Sequence, residues 1–416
     1  MPTQKNQKKM SKFSTHTCDV RTIEDYAPLI GDEVVDRILK KAKKLKSHHV
    51  TNVNSTYYGG GVAEILSSLT LLMNKAGVET GWRNITGRPD FFSVTKKFHN
   101  ALQGGPIHLS QRKKKIYEQV VYENSIRTHL NHDLVVIHDP QPLPLIQHYK
   151  KKGKWIWRCH IDLSKPNPAL WRYLSNFANE YDAVIVSIKE YLHKMKVPQY
   201  LFMPAIDPFI VKNERMSKAN MQERLDHYKI PTDKPIIVQV SRFDKWKDPE
   251  GVIKAFKIAR KKIDATLVLL GNAATDDPEG KEVYESLLNS QEERILILAH
   301  GDDTALVNAL QTSAAVVLQK STREGFGLTV TEAMWKGNPV IGGNVGGIRY
   351  QIEDGVNGFL INSIQEAADR MVTLIKNPKK REQMGKAARE SVRKRFLMTR
   401  LCEQYFDLFL ELVGKK

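Results

Sequence analysis

Two carboxylates flank a glycine-rich loop in the C-terminal half of this 416-residue chain. Glu324 precedes the loop Gly325-Phe326-Gly327, and Glu332 lies in the first turn of a helix predicted to start at Thr329. The N–H groups of such a loop and the positive end of the helix can hold a phosphate. The two acids could therefore grip the two ends of a nucleotide sugar, through hydroxyls of the sugar ring and of the ribose. The alternative is that one acid is a capping charge and the other a solvated helix residue.

A basic loop offers a second place for phosphate oxygens. Arg242 and Lys247 lie in segment 241–249, directly after a predicted strand at 235–240. Ligands of parallel α/β sheets bind at this carboxyl edge. A guanidinium presents a planar fork and an ammonium presents a point charge, so the pair suits a diphosphate. The alternative is an ordinary exposed cationic loop.

A turn of three glycines, Gly59-Gly60-Gly61, separates a predicted strand from a predicted helix at 62–75. Glycines let the backbone approach a ligand closely, and the N-terminus of the helix favours an anion. The turn matches neither G-x-G-x-x-G nor G-x-x-x-x-G-K-[ST], so neither a dinucleotide-binding motif nor a P-loop is indicated. The alternative is a tight turn that needs glycine only for its shape.

Short apolar strands alternate with helical stretches on both sides of a Pro-containing segment, 203–208. Repeated strand–helix units indicate parallel sheets covered by helices. We therefore predict two doubly wound, Rossmann-like α/β domains that face each other across a cleft. The predicted strands cover residues 49–54, 134–137, 155–160, 183–187, 235–240, 265–270, 295–298, 314–318, 339–342 and 358–361.

Composition and charge exclude several classes of protein. The formal net charge is +18, but the basic stretches are not regularly interleaved with the aromatic residues that stack on bases. No apolar run approaches the ~20 residues of a membrane-spanning helix, and the N-terminus lacks the apolar core of a secretory signal. The three cysteines, Cys18, Cys159 and Cys402, are too far apart for a CxxC pair. We expect a cytoplasmic protein with neither nucleic acid nor a membrane as a partner.

A metal site is not predicted. His138, Asp139, His160 and Asp162 could be imagined as a cluster, but their spacing matches no zinc motif. The acidic pairs at 276–277 and 302–303 are adjacent, so they do not form the DxD motif of metal-dependent sugar transferases. We expect no tightly bound cofactor; stimulation by a divalent cation is left open, although no motif for it is present.

The acids and the cations resemble motifs of the retaining glycosyltransferases of family four. Glu324 and Glu332, with seven residues between them, match the E-x7-E motif of that family. Arg242 and Lys247 match its Arg-x4-Lys pair. The glycine turn matches its N-terminal glycine loop, and His160, which ends a predicted strand, matches its N-domain active-site histidine. The resemblance implies the GT-B fold.

Longer strings narrow this resemblance, which spans roughly residues 48–400. Segments such as NVNSTYYGGGVAEIL, FHNALQG, HDPQPLPL and EAMWKGNPVIGG look like those of trehalose glycosyltransferring synthases. That group couples a nucleotide-diphosphate glucose, UDP- or ADP-glucose, to free glucose and forms α,α-trehalose in a reversible reaction. Tyr57 and Tyr58 before the glycines depart locally from the pattern and bear on the shape of the acceptor site.

The resemblance implies a role for each matching residue. The catalytic residues would be His160, Arg242, Lys247 and Glu324. The donor would be bound by Gly60, Gly61, Arg242, Lys247, Glu324, Gly327, Leu328, Thr329 and Glu332, and the acceptor by Asp139, Gln141 and Asp162. Within this set, Glu324 would bind the 3- and 4-hydroxyls of the donor sugar, Glu332 the ribose, and His160 the 6-hydroxyl. A histidine after a strand can also be purely structural, and Asp139 before a proline can be only a turn former.

The same resemblance implies a division of the chain. Residues 1–20 would be a flexible basic tail, 21–205 the acceptor-side domain, and 206–395 the nucleotide-sugar-binding domain. Residues 396–416 would form a C-terminal helix that crosses back to the first domain. The expected partners are small sugar substrates, and a homodimer is left open.

Two other functions remain open from the residues. Arg242 and Lys247 can bind free phosphate as well as a diphosphate, so a trehalose phosphorylase-type enzyme, or transfer to another small sugar acceptor, is the alternative. A basic protein that binds nucleic acid or membranes is a different class. The two acids around the glycine loop argue against that class, because carboxylates do not bind a phosphate backbone.

Overall fold

A computed structural model of the chain describes residues 21–272 and 278–414. The tail predicted at 1–20 and the acidic pair at 276–277 lie outside the described residues. The described residues form two parallel sheets of six strands each, with helices between the strands. The predicted α/β class with two doubly wound domains is thereby confirmed.

The N-terminal sheet has the order β2-β1-β3-β4-β5-β6. Its strands are β1 (Val50–Asn54), β2 (Thr80–Asn84), β3 (Leu134–His138), β4 (Lys154–Arg158), β5 (Ala183–Val186) and β6 (Gln199–Leu201). The helices of this part of the chain are α1 (Ala27–Ile30), α2 (Asp32–Lys44), α3 (Gly61–Lys75), α4 (Pro89–Leu102), α5 (Gln111–Arg127) and α6 (Pro168–Ala178).

Strand β3 shows why these segments form central strands. Val135 and Ile137 belong to the apolar core on one face of the sheet. Leu134 and Val136 belong to the core on the other face. Because successive side chains of a strand point to opposite faces, a strand covered by helices on both sides favours apolar residues at successive positions.

The C-terminal sheet has the order β12-β11-β10-β7-β8-β9. Its strands are β7 (Ile236–Val240), β8 (Thr266–Leu270), β9 (Ile295–Leu298), β10 (Val316–Gln319), β11 (Val340–Gly343) and β12 (Gly358–Ile361). Its helices are α7 (Lys218–His227), α8 (Pro249–Ala259), α9 (Pro278–Leu288), α10 (Thr304–Ser313), α11 (Leu328–Trp335), α12 (Ile348–Gln351), α13 (Ile364–Lys376) and α14 (Pro378–Arg395).

The chain crosses between the domains twice, and the two crossings are hydrogen-bonded to each other. The Ile206 N–H donates to the carbonyl oxygen of Phe396 at 2.9 Å, and the Met398 N–H donates to the carbonyl oxygen of Ile206 at 2.9 Å. After this bridge, α15 (Met398–Gly414) places Cys402 and Phe406 in the same apolar core as Ile38 of α2. The last helix therefore packs on the N-terminal domain.

Strands β2 and β6 are absent from the sequence prediction. Both lie at an edge of the N-terminal sheet, where one side of the strand has no neighbour. In β2 only Thr80 is buried, and the strand reads TGWRN, without the apolar run of a central strand. Within the described residues, no helix is both long and apolar enough to cross a bilayer.

Candidate active site

The loop that carries Glu324 follows β10 and lies against the N-terminal domain. Gly325 packs on the backbone of His160 so closely that a Cβ at this position would collide with the His160 carbonyl oxygen. The Tyr191 hydroxyl lies 2.9 Å from the carbonyl oxygens of both Glu324 and Gly325 and can donate to either. The two domains therefore touch at this loop, and glycine is required because any side chain would separate them.

The carboxylate of Glu324 is held by three polar groups of its own domain. Its Oε2 atom lies 2.5 Å from the Lys247 ammonium and accepts hydrogen bonds from Ser321 at 3.1 Å and Gln319 at 3.4 Å. The Glu324 side chain is only 10% exposed. The predicted phosphate-binding cation and the predicted sugar-binding acid are thus paired with each other, as expected for two groups of one site.

Arg242 and Lys247 come from the loop after β7, and a short 3₁₀ helix (Lys245–Lys247) places the lysine. Asp244 caps this helix by accepting from the Trp246 N–H at 2.8 Å, and its carboxylate lies 3.6 Å from the Arg242 guanidinium. On the opposite side of the cleft, burial and the nearby charge of Arg242 lower the pKa of His99 in α4 to about 3. The cationic loop therefore faces α4 of the N-terminal domain.

The first turns of α3 and α11 face each other across the cleft. Gly60 caps α3 with φ 82°, and Gly327 caps α11 with φ 87°. A Cβ at Gly61 would stand 2.9 Å from the Leu328 side chain, so the two helix ends are in contact. Thr329 follows in the first turn of α11, and its hydroxyl donates to Gln319 at 3.2 Å. Because first-turn N–H groups have no partners within the helix, two positive ends converge here.

Glu332 is fully buried and faces a cluster of charges between the domains. The Lys212 ammonium lies 2.7 Å from Glu332 and 2.9 Å from Glu64 of α3. Burial raises the pKa of Glu64 and lowers the pKa of Lys336, which lies beside Glu332, to about 7. Glu332 is buried and one of its oxygens is paired with Lys212, so the predicted ribose contact stays a prediction.

The predicted acceptor residues differ in how the structure places them. Asp139 follows β3 with φ 63°, accepts the His160 N–H at 2.7 Å, and has its pKa raised by burial to about 7. The Oε1 atom of Gln141 is buried and accepts no hydrogen bond from the described residues. Asp162, in contrast, is 3% exposed and accepts the Ser164 N–H at 2.8 Å. The Asp162 Oδ1 atom takes part in a local turn, and its predicted contact with the acceptor stays a prediction.

His160 is joined to a second histidine. Its Nε2 atom lies 3.0 Å from Nδ1 of His138, and Nε2 of His138 lies 3.0 Å from Oδ1 of Asn52. Burial and the guanidinium of Arg158 hold the pKa of His160 well below its usual value. Within the described ranges, no three His, Cys, Asp or Glu side chains are arranged to hold a metal ion.

Two family models match the chain. "Trehalose synthase, N-terminal domain" matches residues 52–193, and "Glycosyl transferases group 1" matches residues 220–391. The trehalose synthase of Pyrococcus horikoshii is 44% identical over 403 residues, which covers 95% of this chain and 97% of that protein. This chain belongs to the trehalose synthase family. The predicted resemblance is confirmed, and the enzyme is a hexosyltransferase.

Two other similarities place this trehalose synthase family member more broadly. The trehalose phosphorylase of Pleurotus pulmonarius is 27% identical over 395 residues, which covers 81% of this chain and 54% of that protein. The solved structure of sucrose-phosphate synthase from Thermosynechococcus elongatus superposes with a TM-score of 0.67 at 19% identity, covering 89% of this chain and all of that one. At this identity the superposition concerns the fold alone, and it confirms the predicted GT-B architecture.

Several residues that shape the site of this family member were not found from the sequence. They are Asn52, Glu64, Tyr191, Lys212, Gln319 and Ser321, and His138 was considered only as a metal ligand. The sequence offered a sign for three residues of the site, because Asn52, His138 and Gln319 are polar residues inside or at the end of predicted buried strands. No pattern in the sequence marks Tyr191 or Lys212, because their partners are far away in the chain.

Replacing Tyr191 by phenylalanine is expected to lower the turnover of the enzyme. The change removes the only O–H donor of this side chain to the Glu324 loop, worth about 0.5–1.5 kcal/mol, and so loosens the closed arrangement of the two domains. Tyr200→Phe is the control, because its hydroxyl binds Glu411 at 2.8 Å and does not reach the loop. Initial rates and thermal unfolding of both variants make the test. Equal kcat in Tyr191→Phe and wild type would contradict the expected role.

Proposed function

We propose that this trehalose synthase family member transfers glucose from a nucleotide-diphosphate glucose to free glucose and forms α,α-trehalose. The 2.5 Å pair of Lys247 and Glu324, set beside two converging helix ends, carries the proposal. A donor with a diphosphate at one end and a sugar at the other has a partner for each of these groups. Family membership supports trehalose as the product of the reaction. The base of the nucleotide donor is to be determined by experiment.

In the proposed complex the diphosphate replaces Glu324 as the partner of Lys247. Arg242 adds a planar fork for phosphate oxygens, and the N–H groups of Gly327, Leu328 and Thr329 point from the first turn of α11. Glu324 is then released to accept hydrogen bonds from the sugar hydroxyls. The same pair thus holds the site together before binding and separates into two substrate contacts afterwards.

The proposed transfer retains the anomeric configuration without a pair of carboxylates across the bond. Retaining glycosidases place two carboxylates about 5–5.5 Å apart and form a covalent intermediate. In the proposed site the groups around the leaving diphosphate are cations and N–H donors, so the diphosphate itself takes the proton of the acceptor hydroxyl. Closure of the domains at Gly325 and Tyr191 keeps water out, which protects the donor from hydrolysis.

The acceptor is proposed to bind near the end of β3. Asp139 lies beside His160, and its pKa near 7 reflects its burial. The Gln141 carboxamide oxygen lacks a partner among the described residues, which is a costly state that a sugar hydroxyl would relieve. A site that hydrogen-bonds a hydroxyl strongly rejects analogues without it. Glucose analogues that lack one hydroxyl are therefore expected to be poor acceptors.

Labelled glucose incubated with UDP-glucose or ADP-glucose is expected to give a non-reducing disaccharide. Because the α-linked donor keeps its configuration, NMR should show α-anomeric carbons on both rings, and trehalase should release two glucose molecules. The Lys247→Ala variant is the matched control. A β-linkage on the donor side would contradict retention, and an α-linked product with another sugar would contradict glucose as the acceptor.

A phosphorylase-type reaction is the second candidate. The similarity to a trehalose phosphorylase over 81% of the chain favours it, and the cationic pair suits inorganic phosphate as well. Trehalose with inorganic phosphate, in the absence of nucleotide, should release no glucose 1-phosphate if the synthase proposal is right. We also propose that turnover needs no tightly bound metal, since the sequence contains no motif for one. EDTA should then leave the enzyme active, and the effect of an added divalent cation on the rate is measured in the same assay.

A further inference from the structure

A row of three polar side chains runs across the carboxyl edge of the N-terminal sheet. Asn52 lies in β1, His138 ends β3, and His160 follows β4. Asn52 and His138 are buried, and the chain of contacts Asn52 Oδ1, His138 Nε2, His138 Nδ1 and His160 Nε2 has steps of 3.0 Å. Because each contact needs one donor and one acceptor, the positions of the protons can be worked out.

The orientation of the Asn52 amide determines which nitrogen of His138 carries a proton. Its nitrogen lies 3.4 Å from the carbonyl oxygen of Gly81, which can only accept, so the amide oxygen must face His138. An oxygen acceptor requires that His138 carries its proton on Nε2. The Nδ1 atom of His138 is then unprotonated and must accept a hydrogen bond from His160. His160 therefore carries its own proton on Nε2.

The remaining nitrogen of His160, Nδ1, is left without a proton. We propose that Asn52 and His138 are positioning residues that hold His160 in its Nε2–H tautomer, so that it offers Nδ1 to the substrate as a hydrogen-bond acceptor. The group it would receive is a sugar hydroxyl, which the family resemblance implies is the 6-hydroxyl of the donor sugar. The contact between Nδ1 and this hydroxyl rests on the proposed function, whereas the tautomer of His160 does not.

The charges around His160 support a neutral ring. Arg158 is buried at the end of β4 and donates to the carbonyl oxygen of Phe202 at 2.5 Å, but it has no carboxylate within hydrogen-bond distance among the described residues. A second cation at His160 would face this guanidinium in a buried region. The Asp139 carboxylate binds the backbone N–H of His160 and not its ring.

Two variants of His138 separate positioning from packing. His138→Asn places an amide oxygen close to the former Nδ1 position and keeps an acceptor for His160, whereas His138→Leu removes it. We expect His138→Leu to lose roughly 10–100-fold in kcat, the range found for partners that orient functional histidines, and His138→Asn to keep most of the activity. His49→Leu, at the amino end of β1 and opposite the cleft, is the control.

Nitrogen NMR of the ¹⁵N-histidine-labelled protein reads the tautomer directly and needs no substrate. In the wild type we expect an unprotonated Nδ1 and a protonated Nε2 on His160. The signals of His160 are assigned as those that are lost in the His160→Gln variant. His138→Leu should give a mixture of tautomers, and His138→Asn should keep the wild-type pattern. A protonated Nδ1 in the wild type, or an unchanged pattern and turnover in His138→Leu, would overturn the proposal.

A donor analogue that lacks the 6-hydroxyl of its sugar tests the substrate step. The wild type should lose turnover with this analogue, and His138→Leu should lose less, because its contact is already impaired. An equal loss in both proteins would overturn the claim that Nδ1 receives this hydroxyl. Absence of activity with any nucleotide-glucose would contradict the proposed function and leave the NMR result standing.

Discussion

Replacing Lys247 by alanine is expected to lower kcat roughly 100- to 1,000-fold, the loss caused by removing one preorganised donor to a developing negative charge. In the proposed reaction this charge grows on the leaving diphosphate. The Lys247 side chain is 17% exposed, and its ammonium lies 2.5 Å from Glu324, at the place proposed for the diphosphate. Arg242→Ala is expected to act in the same direction, and both variants should also weaken donor binding.

Lys254→Ala is the matched control, because Lys254 is an exposed cation on α8 of the same domain. Initial rates over a range of donor concentrations separate turnover from binding, and circular dichroism reports folding. The folding check is needed because Lys247→Ala leaves a nearly buried carboxylate whose remaining hydrogen-bond partners among the described residues are Ser321 and Gln319. A folded Arg242→Ala, Lys247→Ala double variant with near wild-type kcat would refute the assignment.

Glu324→Gln and Glu332→Gln are expected to damage different steps. A hydrogen bond to a charged group is worth about 1.5–3 kcal/mol, so each effect should be roughly 10- to 150-fold. Glu324→Gln should act mainly on kcat, since this acid is proposed to touch the reacting sugar. Glu332→Gln should mainly raise the donor KM by loosening the ribose.

The charge cluster around Glu332 allows the proposed ribose contact to be tested by itself. Lys212 keeps its contact with Glu64 when Glu332 becomes neutral, so the fold has a remaining ion pair across the domains. A donor with a 2′-deoxyribose should bind the wild type more weakly but should bind Glu332→Gln no worse than the normal donor. Small and equal effects of both variants on kcat and KM would contradict both roles.

The central strands were predictable because burial on two faces favours runs of apolar residues. Leu134 to Ile137 is such a run, and the central strands of the C-terminal sheet are largely apolar as well. The edge strands β2 and β6 escape this reasoning, since a strand with one neighbour tolerates polar residues. The resemblance implied a C-terminal helix over 396–416, and in the structure α14 ends at Arg395 and α15 begins at Met398.

The candidate site was predictable where its residues lie close together in the chain. Glu324, Gly327 and Glu332 share one loop and helix, and Arg242 and Lys247 share another loop. The partners of a single acid were not predictable: the Asp139 carboxylate accepts the backbone N–H of His160, which is distant in the chain, whereas Asp162 accepts that of Ser164 in a local turn. Which N–H group such a carboxylate binds depends on how neighbouring strands and loops are placed, which the residue types do not reveal.

By itself, the sequence determined the two parallel sheets, the loops at their carboxyl edges and the acids and cations on those loops. These features depend on residue type and on neighbours a few positions away. Only the tertiary structure decided that Tyr191 reaches the Glu324 loop, that Lys212 joins Glu64 to Glu332, and that His138 meets His160. Tyr191 and Glu324 are 133 residues apart and lie in different domains. Such contacts form where two folded domains pack against each other beside the two hydrogen-bonded crossings of the chain. Local sequence patterns carry no information about how the packed surfaces align.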